Sequence, residues 1–268
     1  MVKKFKLGVI GAGFMANAII KGVISSGVLR PEDIFVSDIN DNSLTNLSKQ
    51  GVNVTLNNND ILLNCEYVLF AIKPQTFNAV FDNKVFDENY KLISIMAGVN
   101  IAKIKSIFPN SKVARCMPNT PCSVGAGAVG IDATDFTEKT DIDFIKNLFS
   151  SIAEVIFIAE DKLNAVTAIS GSSPAYFYLF LKSVIEAGMK NGLSFKEARD
   201  LATSTMIGAG KMVKKNKSKS LDELIDAVCS KGGTTIEAIN VFKQEGIEDI
   251  TLKAVDACVK RASELENF

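Results

Sequence analysis

Gly11-Ala12-Gly13-Phe14-Met15-Ala16 follows the apolar run Leu7-Gly8-Val9-Ile10 and opens an amphipathic segment that ends near Gly27. This order predicts a strand, a tight glycine turn and a helix. In a dinucleotide-binding βαβ unit the first glycine permits the turn, the second lets the backbone approach a pyrophosphate, and a third small residue, here Ala16, lets the helix pack on the strand. The unpaired N–H groups of the helix N-terminus then face the anion. The alternative is an ordinary glycine turn before a buried helix, so the hypothesis needs a second landmark.

The second landmark is the end of the next predicted strand, Ile34-Phe35-Val36-Ser37-Asp38. In NAD-binding folds a carboxylate at this point accepts hydrogen bonds from the adenosine ribose, whereas a nearby arginine accommodates the additional phosphate of NADP. Asp38 is followed by Ile39 and not by an arginine. The other interpretation of Asp38 is a residue that forms the turn at the end of a strand.

Composition favours a small-molecule partner. The 268 residues, 47% of them hydrophobic, are enough to bury a core in one large domain or two smaller ones. Lys plus Arg and Asp plus Glu each number 30, so no net basic charge indicates nucleic acid or an anionic membrane as a partner. No apolar run is as long as a membrane span, and residues 1–6 lead into a strand without the apolar core of a signal peptide. We expect a cytoplasmic protein.

The residue types that are missing limit the chemistry. The sequence contains no histidine, which excludes a histidine-based catalytic triad, a histidine general base and histidine metal ligands. The cysteines are odd in number, scattered and without CxxC spacing, which argues against a disulfide framework and against a zinc site. They are Cys65, Cys116, Cys122, Cys229 and Cys258. We therefore predict no metal site.

Alternating strands and helices predict a doubly wound α/β fold for the first part of the chain. The apolar run at 67–72 is continuous, which is typical of a strand buried on both faces of a sheet. Strands are predicted at 7–10, 34–38, 52–55, 67–72, 92–96, 112–117, 126–131 and 154–158. From Asp161 onward five or six helical segments follow and no persuasive strand. We therefore predict a dinucleotide-binding domain at 1–160 and a helical domain at 161–268.

One predicted helix in the second domain is apolar around nearly its whole circumference. It runs from Pro174 to Asn191 and includes Tyr176, Phe177 and Leu179. A helix of this kind must be buried on most sides. A helical domain of about a hundred residues is small to bury it alone, so we predict that a second subunit covers it.

Two polar clusters are further candidates for a site. Ser230-Lys231-Gly232-Gly233-Thr234-Thr235 lies between two predicted helices, where paired glycines can turn several backbone N–H groups toward one carboxylate. Capping of the following helix by the threonine hydroxyls is the alternative. Arg115-Cys116-Met117-Pro118-Asn119-Thr120-Pro121 leaves the carboxyl end of a strand, where open α/β sheets bind ligands. Its two prolines are expected to stop the strand and to stiffen a wall beside a nicotinamide; the alternative is a simple proline-stiffened connection.

Five stretches in this order resemble the pyrroline-5-carboxylate reductase family, which reduces a cyclic imine to L-proline with NADH or NADPH. The resemblance spans nearly the whole chain, and the last two stretches together are its specific part. The stretches are Val9-Ile10-Gly11-Ala12-Gly13-Phe14-Met15-Ala16, Ala71-Ile72-Lys73-Pro74-Gln75, residues 115–121, Ser170-Gly171-Ser172-Ser173-Pro174-Ala175-Tyr176 and Gly232-Gly233-Thr234-Thr235-Ile236-Glu237-Ala238.

The resemblance implies an N-terminal Rossmann domain, a helical C-terminal domain that interlocks in a homodimer, and in some relatives a larger ring. It implies NADPH or NADH as the cofactor and 1-pyrroline-5-carboxylate as the substrate. The implied cofactor contacts are Gly13, Phe14 and Met15 at the pyrophosphate, Asn58 near the adenosine, Ala71 and Lys73 around the nicotinamide ribose, and Ala97 and Asn119 near the ring; Gly11, Ser37, Asp38 and Pro74 complete our predicted set. The substrate carboxylate is assigned to Ser230, Lys231, Gly232, Gly233 and Thr234. Thr235 is the predicted catalytic residue, whose hydroxyl hydrogen-bonds the imine nitrogen.

The implied hydride transfer depends mostly on positioning and needs no strong base, which suits a chain without histidine. The sequence departs from the family pattern at two positions. Lys231 replaces the usual proline of the carboxylate turn, and it either attracts the carboxylate or points outward. Ile39 stands where many relatives have arginine, so we expect NADH to be accepted as well as NADPH or better.

Two alternatives stay open at this point. A β-hydroxyacid dehydrogenase has a lysine followed four residues later by asparagine in its first long helix; Lys182 fits, but residue 186 is Glu. A nucleotide-binding scaffold without catalysis is the other, and Lys231 is its main support.

Overall fold

The structure is a computed structural model that describes residues 4–81 and 84–266. The outer ends of the two predicted domains, residues 1–3 and 267–268, lie outside the described residues. The strands are β1 Phe5–Ile10, β2 Ile34–Ser37, β3 Asn53–Thr55, β4 Cys65–Phe70, β5 Lys91–Ser94, β6 Lys112–Pro118, β7 Gly127–Asp132 and β8 Ala153–Phe157.

Within the described residues these eight strands form one sheet in the order β3-β2-β1-β4-β5-β6-β7-β8. All neighbouring pairs are parallel except β6 and β7, which are antiparallel. The order reverses between β1 and β4, and ligands of doubly wound sheets bind outside the carboxyl ends of the strands at such a point. The predicted fold class is confirmed.

Helices connect the strands, and helices joined by turns and loops follow β8. They are α1 Phe14–Ser25, α2 Asp41–Ser48, α3 Asn58–Asn64, α4 Phe77–Val80, α5 Ile101–Lys105, α6 Lys139–Ser150, α7 Leu163–Val166, α8 Ser173–Lys190, α9 Phe195–Lys215, α10 Leu221–Asp226, α11 Thr234–Gln244 and α12 Ile247–Glu266. From Asp161 onward no described residue lies in a strand, as predicted. None of these helices is both long and apolar enough to cross a lipid bilayer.

The sheet is covered on both faces. Consecutive residues of β4 point to opposite sides, because side chains alternate along a strand. Tyr67 and Leu69 belong to a core shared with α1, α2 and α6. Val68 and Phe70 belong to a second core shared with α3, α4 and α5. This double coverage explains why the sequence at 67–70 is apolar without interruption.

Several predicted boundaries differ from those observed. The strand predicted at 67–72 ends at Phe70, and a three-residue 3₁₀ turn at Pro74–Thr76 and the four residues of α4 follow it. β6 ends at Pro118, which pairs with Val129, so the strand stops at the first of the two prolines, as predicted, but one residue later than the predicted bound at 117. β5 has already ended beside Arg115, and proline is tolerated where a strand is paired on one side only.

The described chain divides into two compact units. The first comprises the residues up to Ser172 together with those from Cys258 onward, and the second is Ser173–Ala257. The change from mixed to helical structure near residue 160 therefore does not coincide with the division at Ser172. The segment after residue 160 stays with the first unit because it packs on the sheet: Leu163 is fully buried, and a Cβ placed on Gly130 of β7 would lie 2.9 Å from the Val166 side chain.

The second unit is built around α8 and α9. Gly188 of α8 lets the two helices approach closely, since a Cβ there would lie 3.2 Å from Cβ of Ala198. The helix predicted at 174–191 is observed as α8, but it keeps a large apolar surface in the single chain. Phe177, Tyr178 and Leu179 are 57%, 62% and 67% exposed.

Candidate active site

The glycine turn after β1 has the tight geometry that its sequence predicts. Gly11 has a φ of +100°, which favours glycine, and a Cβ there would lie 2.7 Å from the Ala71 carbonyl oxygen. Its N–H donates to the Ser37 carbonyl at 2.8 Å. Gly11 therefore joins the carboxyl ends of β1, β2 and β4 at the point where the strand order reverses.

The N-terminus of α1 has the features of an anion site. Its N-cap residue, Gly13, has no side chain to accept the free N–H groups, and the first turn holds no acidic residue. A Cβ on Gly13 would meet no atom within 4 Å. Space beside free N–H groups at a helix N-terminus fits a pyrophosphate. Phe14 begins the helix with 64% of its surface exposed, and Ala16, the third small residue of the motif, is buried at 1%.

Asp38 lies directly beside this turn. One carboxylate oxygen accepts the Ala12 N–H at 2.6 Å, and the other accepts the Asn40 N–H at 2.7 Å. Asp38 therefore does form the turn after β2, as the second interpretation held, and in doing so ties that turn to the glycine turn. The neighbouring Ile39 is 96% exposed and offers no positive charge.

Ser37 and Asn58 act as a pair. The Ser37 side chain is fully buried, and its hydroxyl donates to Asn58 Oδ1 at 2.7 Å. This hydrogen bond orients Asn58, the first residue of α3. The contact between Ser37 and a cofactor stays a prediction.

The loops after β4 and β5 enclose a cavity of about 330 Å³. Pro74 lines it from the β4 side and Ala97 from the β5 side, so the structure brings these two predicted cofactor residues to one place. Lys73 is exposed and immediately precedes Pro74. Ala71 remains bound to the sheet through its N–H, which donates to the Ile10 carbonyl at 2.9 Å.

Asn119 has a structural use that its sequence position does not reveal. Its Nδ2 donates to the Ser170 carbonyl at 3.2 Å, and its Oδ1 accepts the Ala128 N–H at 3.0 Å. The Cys122 sulfur lies 3.7 Å from the same Oδ1, and burial raises the pKa of that thiol, which keeps it neutral. The amide is therefore held at both its nitrogen and its oxygen, and the place of Asn119 near the nicotinamide ring stays a prediction. Asn119 joins the end of β6 to the π-helical turn Thr167–Gly171.

The turn assigned to the substrate carboxylate belongs to the second compact unit. Gly232 has a φ of +71°, and the Gly233 N–H donates to the Ser230 carbonyl at 2.9 Å. Gly233 is the N-cap residue of α11, which carries no side-chain cap. The alternative in which a threonine hydroxyl caps this helix is therefore wrong. Thr234 and Thr235 occupy the first two helical positions, and Lys231 is exposed.

Sequence analysis missed the importance of Arg115. The structure places it inside β6 with 1% of its surface exposed, in contact with two glutamates. A single cation within the apolar run Val113-Ala114-Arg115-Cys116-Met117 was the available signal, since a buried charge must be paired.

Comparison with known proteins assigns the family. A model for pyrroline-5-carboxylate reductase dimerisation matches residues 160–265, and a model for F420-dependent NADP oxidoreductases matches residues 6–98. The pyrroline-5-carboxylate reductase of Haemophilus influenzae is 36% identical over 263 residues, 97% of each chain. The chain belongs to the pyrroline-5-carboxylate reductase family. The reductase of Synechocystis, another member, is 34% identical over 97% of this chain and 98% of its own.

Solved structures of the family have the same fold. The pyrroline-5-carboxylate reductase of Coxiella burnetii is 32% identical with a TM-score of 0.89, covering 98% of this chain and 99% of its own. The Plasmodium falciparum pyrroline carboxylate reductase, solved with NADP bound, is 29% identical with a TM-score of 0.84 over 99% and 100%.

Membership of the reductase family excludes the β-hydroxyacid dehydrogenase alternative. In the structure Lys182 lies 3.8 Å from Glu186 in an ion pair whose side chains are 70% and 59% exposed. Lys182 is thus paired with the residue that stands in place of the asparagine which that alternative requires.

Proposed function

We propose that this protein catalyses the NAD(P)H-dependent reduction of 1-pyrroline-5-carboxylate to L-proline, the last step of proline biosynthesis. The observation that carries the proposal is similarity over 97% of the chain to reductases of this name. The glycine turn supports it independently, because the space beside Gly13 and the free N–H groups of α1 fit a dinucleotide pyrophosphate.

The first unit holds the cofactor in this proposal. The backbone N–H groups of Gly13, Phe14 and Met15 bind the pyrophosphate, and Gly11 forms the turn that positions them. Asp38 and Asn58 bind the adenosine half. Ala71, Lys73, Pro74 and Ala97 bind the nicotinamide half. When bound, the reduced nicotinamide supplies the hydride. The role of the protein is to hold this hydride donor in a fixed pose and to exclude water from it.

The second unit binds the imine. The Ser230–Gly233 turn and Thr234 bind the substrate carboxylate through backbone N–H groups and the positive end of α11. The exposed ammonium of Lys231 adds attraction for that carboxylate. Thr235 hydrogen-bonds the imine nitrogen, which takes up a proton as the imine carbon takes up hydride.

NADH serves this protein as well as NADPH or better. Asp38 places a negative charge beside the ribose position, and Ile39 provides no cation for a 2′-phosphate. The NADP bound to the Plasmodium relative belongs to a different chain, so the cofactor preference of this chain requires its own measurement.

The protein works as a homodimer, with assembly into a larger ring as a further step. Residues 160–265 match a dimerisation family, and α8 exposes the aromatic and aliphatic side chains that a partner would cover. In this proposal a nucleotide domain at 1–160 is followed by a dimerisation domain at 161–268, and these functional domains differ from the compact units, which divide at Ser172.

The proposed location is the cytoplasm, since all five cysteines are free thiols.

A steady-state assay tests the proposal. Purified protein should oxidise NADH and NADPH only when 1-pyrroline-5-carboxylate is added, with kcat/KM for NADH equal to or above that for NADPH. Binding of the dinucleotides without turnover would instead support the scaffold alternative. A strong preference for NADPH would overturn only the role given to Asp38 and Ile39 and would leave the proposed reaction intact.

A further inference from the structure

The buried guanidinium of Arg115 has no part in the proposed chemistry. Its Nη1 lies 3.2 Å from Glu160 Oε1, and its Nη2 lies 2.7 Å from Glu266 Oε1. The second contact is an ion pair outside hydrogen-bond geometry, and Nε has no hydrogen-bond partner within the described chain. The free energy needed to remove a guanidinium from water offsets much of the stabilisation that its ion pairs provide. Stability alone therefore does not explain an arginine here.

Glu160 connects Arg115 to the loop after β5. The oxygen that contacts Arg115 also accepts the N–H of Ile101, the first residue of α5, at 2.7 Å. Glu160 is itself held in place, because its N–H donates to Asp132 Oδ2 at 2.6 Å. The start of α5, and with it the loop at 97–100, is therefore tied to Arg115.

Glu266 connects Arg115 to the end of α12. One carboxylate oxygen pairs with Arg115, and the other accepts from Asn164 Nδ2 at 3.1 Å. The preceding residue, Leu265, lies against Gly98: a Cβ on that glycine would lie 2.9 Å from Cβ of Leu265. With a φ of +71°, position 98 favours glycine for its backbone as well.

Both connections end at the same cavity. Ala97 and Gly98 line one side of it, Leu265 and Glu266 line another, and Pro74 closes a third. Ala97 and Pro74 are the residues proposed to hold the nicotinamide half of the cofactor. We infer that Arg115 is a positioning residue that holds two walls of the nicotinamide end of the cofactor site through Glu160 and Glu266. The inference rests on the proposed function for the identity of the ligand.

A pair of ligands separates this role from general stabilisation. NADH and ADP-ribose share the adenosine, the pyrophosphate and the adjoining ribose, but ADP-ribose lacks the nicotinamide. Glu266→Gln should raise the Kd for NADH about tenfold, the scale of one lost charged contact, and leave that for ADP-ribose within about twofold. Both constants are measured by titration calorimetry, with thermal unfolding of the unliganded protein recorded alongside.

The matched control is Glu264→Gln on the same helix. The Glu264 side chain is 44% exposed and pairs only with its helix neighbour Arg261 among the described contacts, so both Kd values should stay at the wild-type level. Leu265→Ala shortens a side chain in the cavity wall without changing its charge. This variant should again raise the Kd for NADH and leave the Kd for ADP-ribose unchanged. Equal weakening of both ligands, or no weakening in either variant, would overturn the inference. A wild-type protein that binds neither ligand would overturn the proposed function as well.

Discussion

Asp38 shows how single residues prepare the nucleotide site before a ligand arrives. Both of its carboxylate oxygens accept backbone N–H groups, one from the glycine turn and one from the turn after β2. The orientation of the carboxylate is therefore fixed in the protein alone, so less ordering is needed on binding. In the proposed pose the same arrangement holds a negative charge where NADP would bring its additional phosphate, and this is the physical basis of the expected preference for NADH.

Thr235 is the residue on which the proposed chemistry depends most. Its hydroxyl is not used to cap α11, which leaves it available to the imine nitrogen. Thr235→Ala should lower kcat by roughly ten- to a thousandfold, the scale of one well-placed hydrogen bond in a transition state. Thr235→Ser keeps the hydroxyl and should recover most of the rate. Steady-state kinetics, with thermal unfolding to verify the fold, would disprove the role if the alanine variant kept the wild-type kcat.

At the scale of elements, a second buried charge joins a helix to the sheet. Asp141 of α6 is 3% exposed and accepts hydrogen bonds from Tyr67 of β4 and from Lys91 of β5. Burial works to raise the pKa of Asp141, but the hydrogen bonds from Lys91 and Tyr67 and the nearby positive charges outweigh it, so the pKa is lowered. This carboxylate holds α6 to two neighbouring strands.

The lowered pKa makes part of the stability depend on pH. The pKa of Asp141 in the folded protein lies below its unfolded value of about 3.9. The contribution of Asp141 to the free energy of unfolding is therefore complete above about pH 3.9 and is lost as the pH falls through the folded pKa. Asp141→Asn should reduce the free energy of unfolding at pH 7 by about 1–3 kcal/mol, and the difference from wild type should shrink below about pH 4. The control is Asp143→Asn, an exposed position on the same helix. Urea unfolding at several pH values would contradict this account if both variants behaved alike.

The sequence predicted well what depends on local pattern, and less well what depends on distant partners. The glycine turn and the doubly wound alternation both follow from residues close together in the chain, and both were confirmed. The roles of Ser37 and Asn119 did not follow, because their hydrogen-bond partners lie 21 and 51 residues away. Arg115 shows the same limit: its charge was visible, but its two glutamates were not.

At the scale of the whole molecule, the second unit has a large apolar surface that is exposed in the single chain. Leu179 and Phe177 on α8 and Val228 after α10 are each more than half exposed, which is unusual for an isolated protein of this size. A surface of this kind fits the interface of a permanent homodimer, whose buried area resembles a domain core. The exposed helix is thus best explained as one half of an interface.

The oligomeric state is open to a direct test. Size-exclusion chromatography with light scattering at micromolar concentration should give at least twice the mass of one chain. Leu179→Lys places a charge on the apolar face of α8 and should shift the protein toward monomer. Lys182→Gln, an equally exposed position on the same helix, should leave the mass unchanged. A wild-type monomer would refute the dimer.

The most direct measurement of the central claim follows the hydride itself. Purified protein is incubated with 1-pyrroline-5-carboxylate and NADH that carries deuterium on the transferable position of nicotinamide C4, and the product is analysed by mass spectrometry and NMR. We expect L-proline with one deuterium on the ring carbon that was the imine carbon. Unlabelled proline, or dinucleotide that binds without forming proline, would contradict the assignment of this chain as a pyrroline-5-carboxylate reductase.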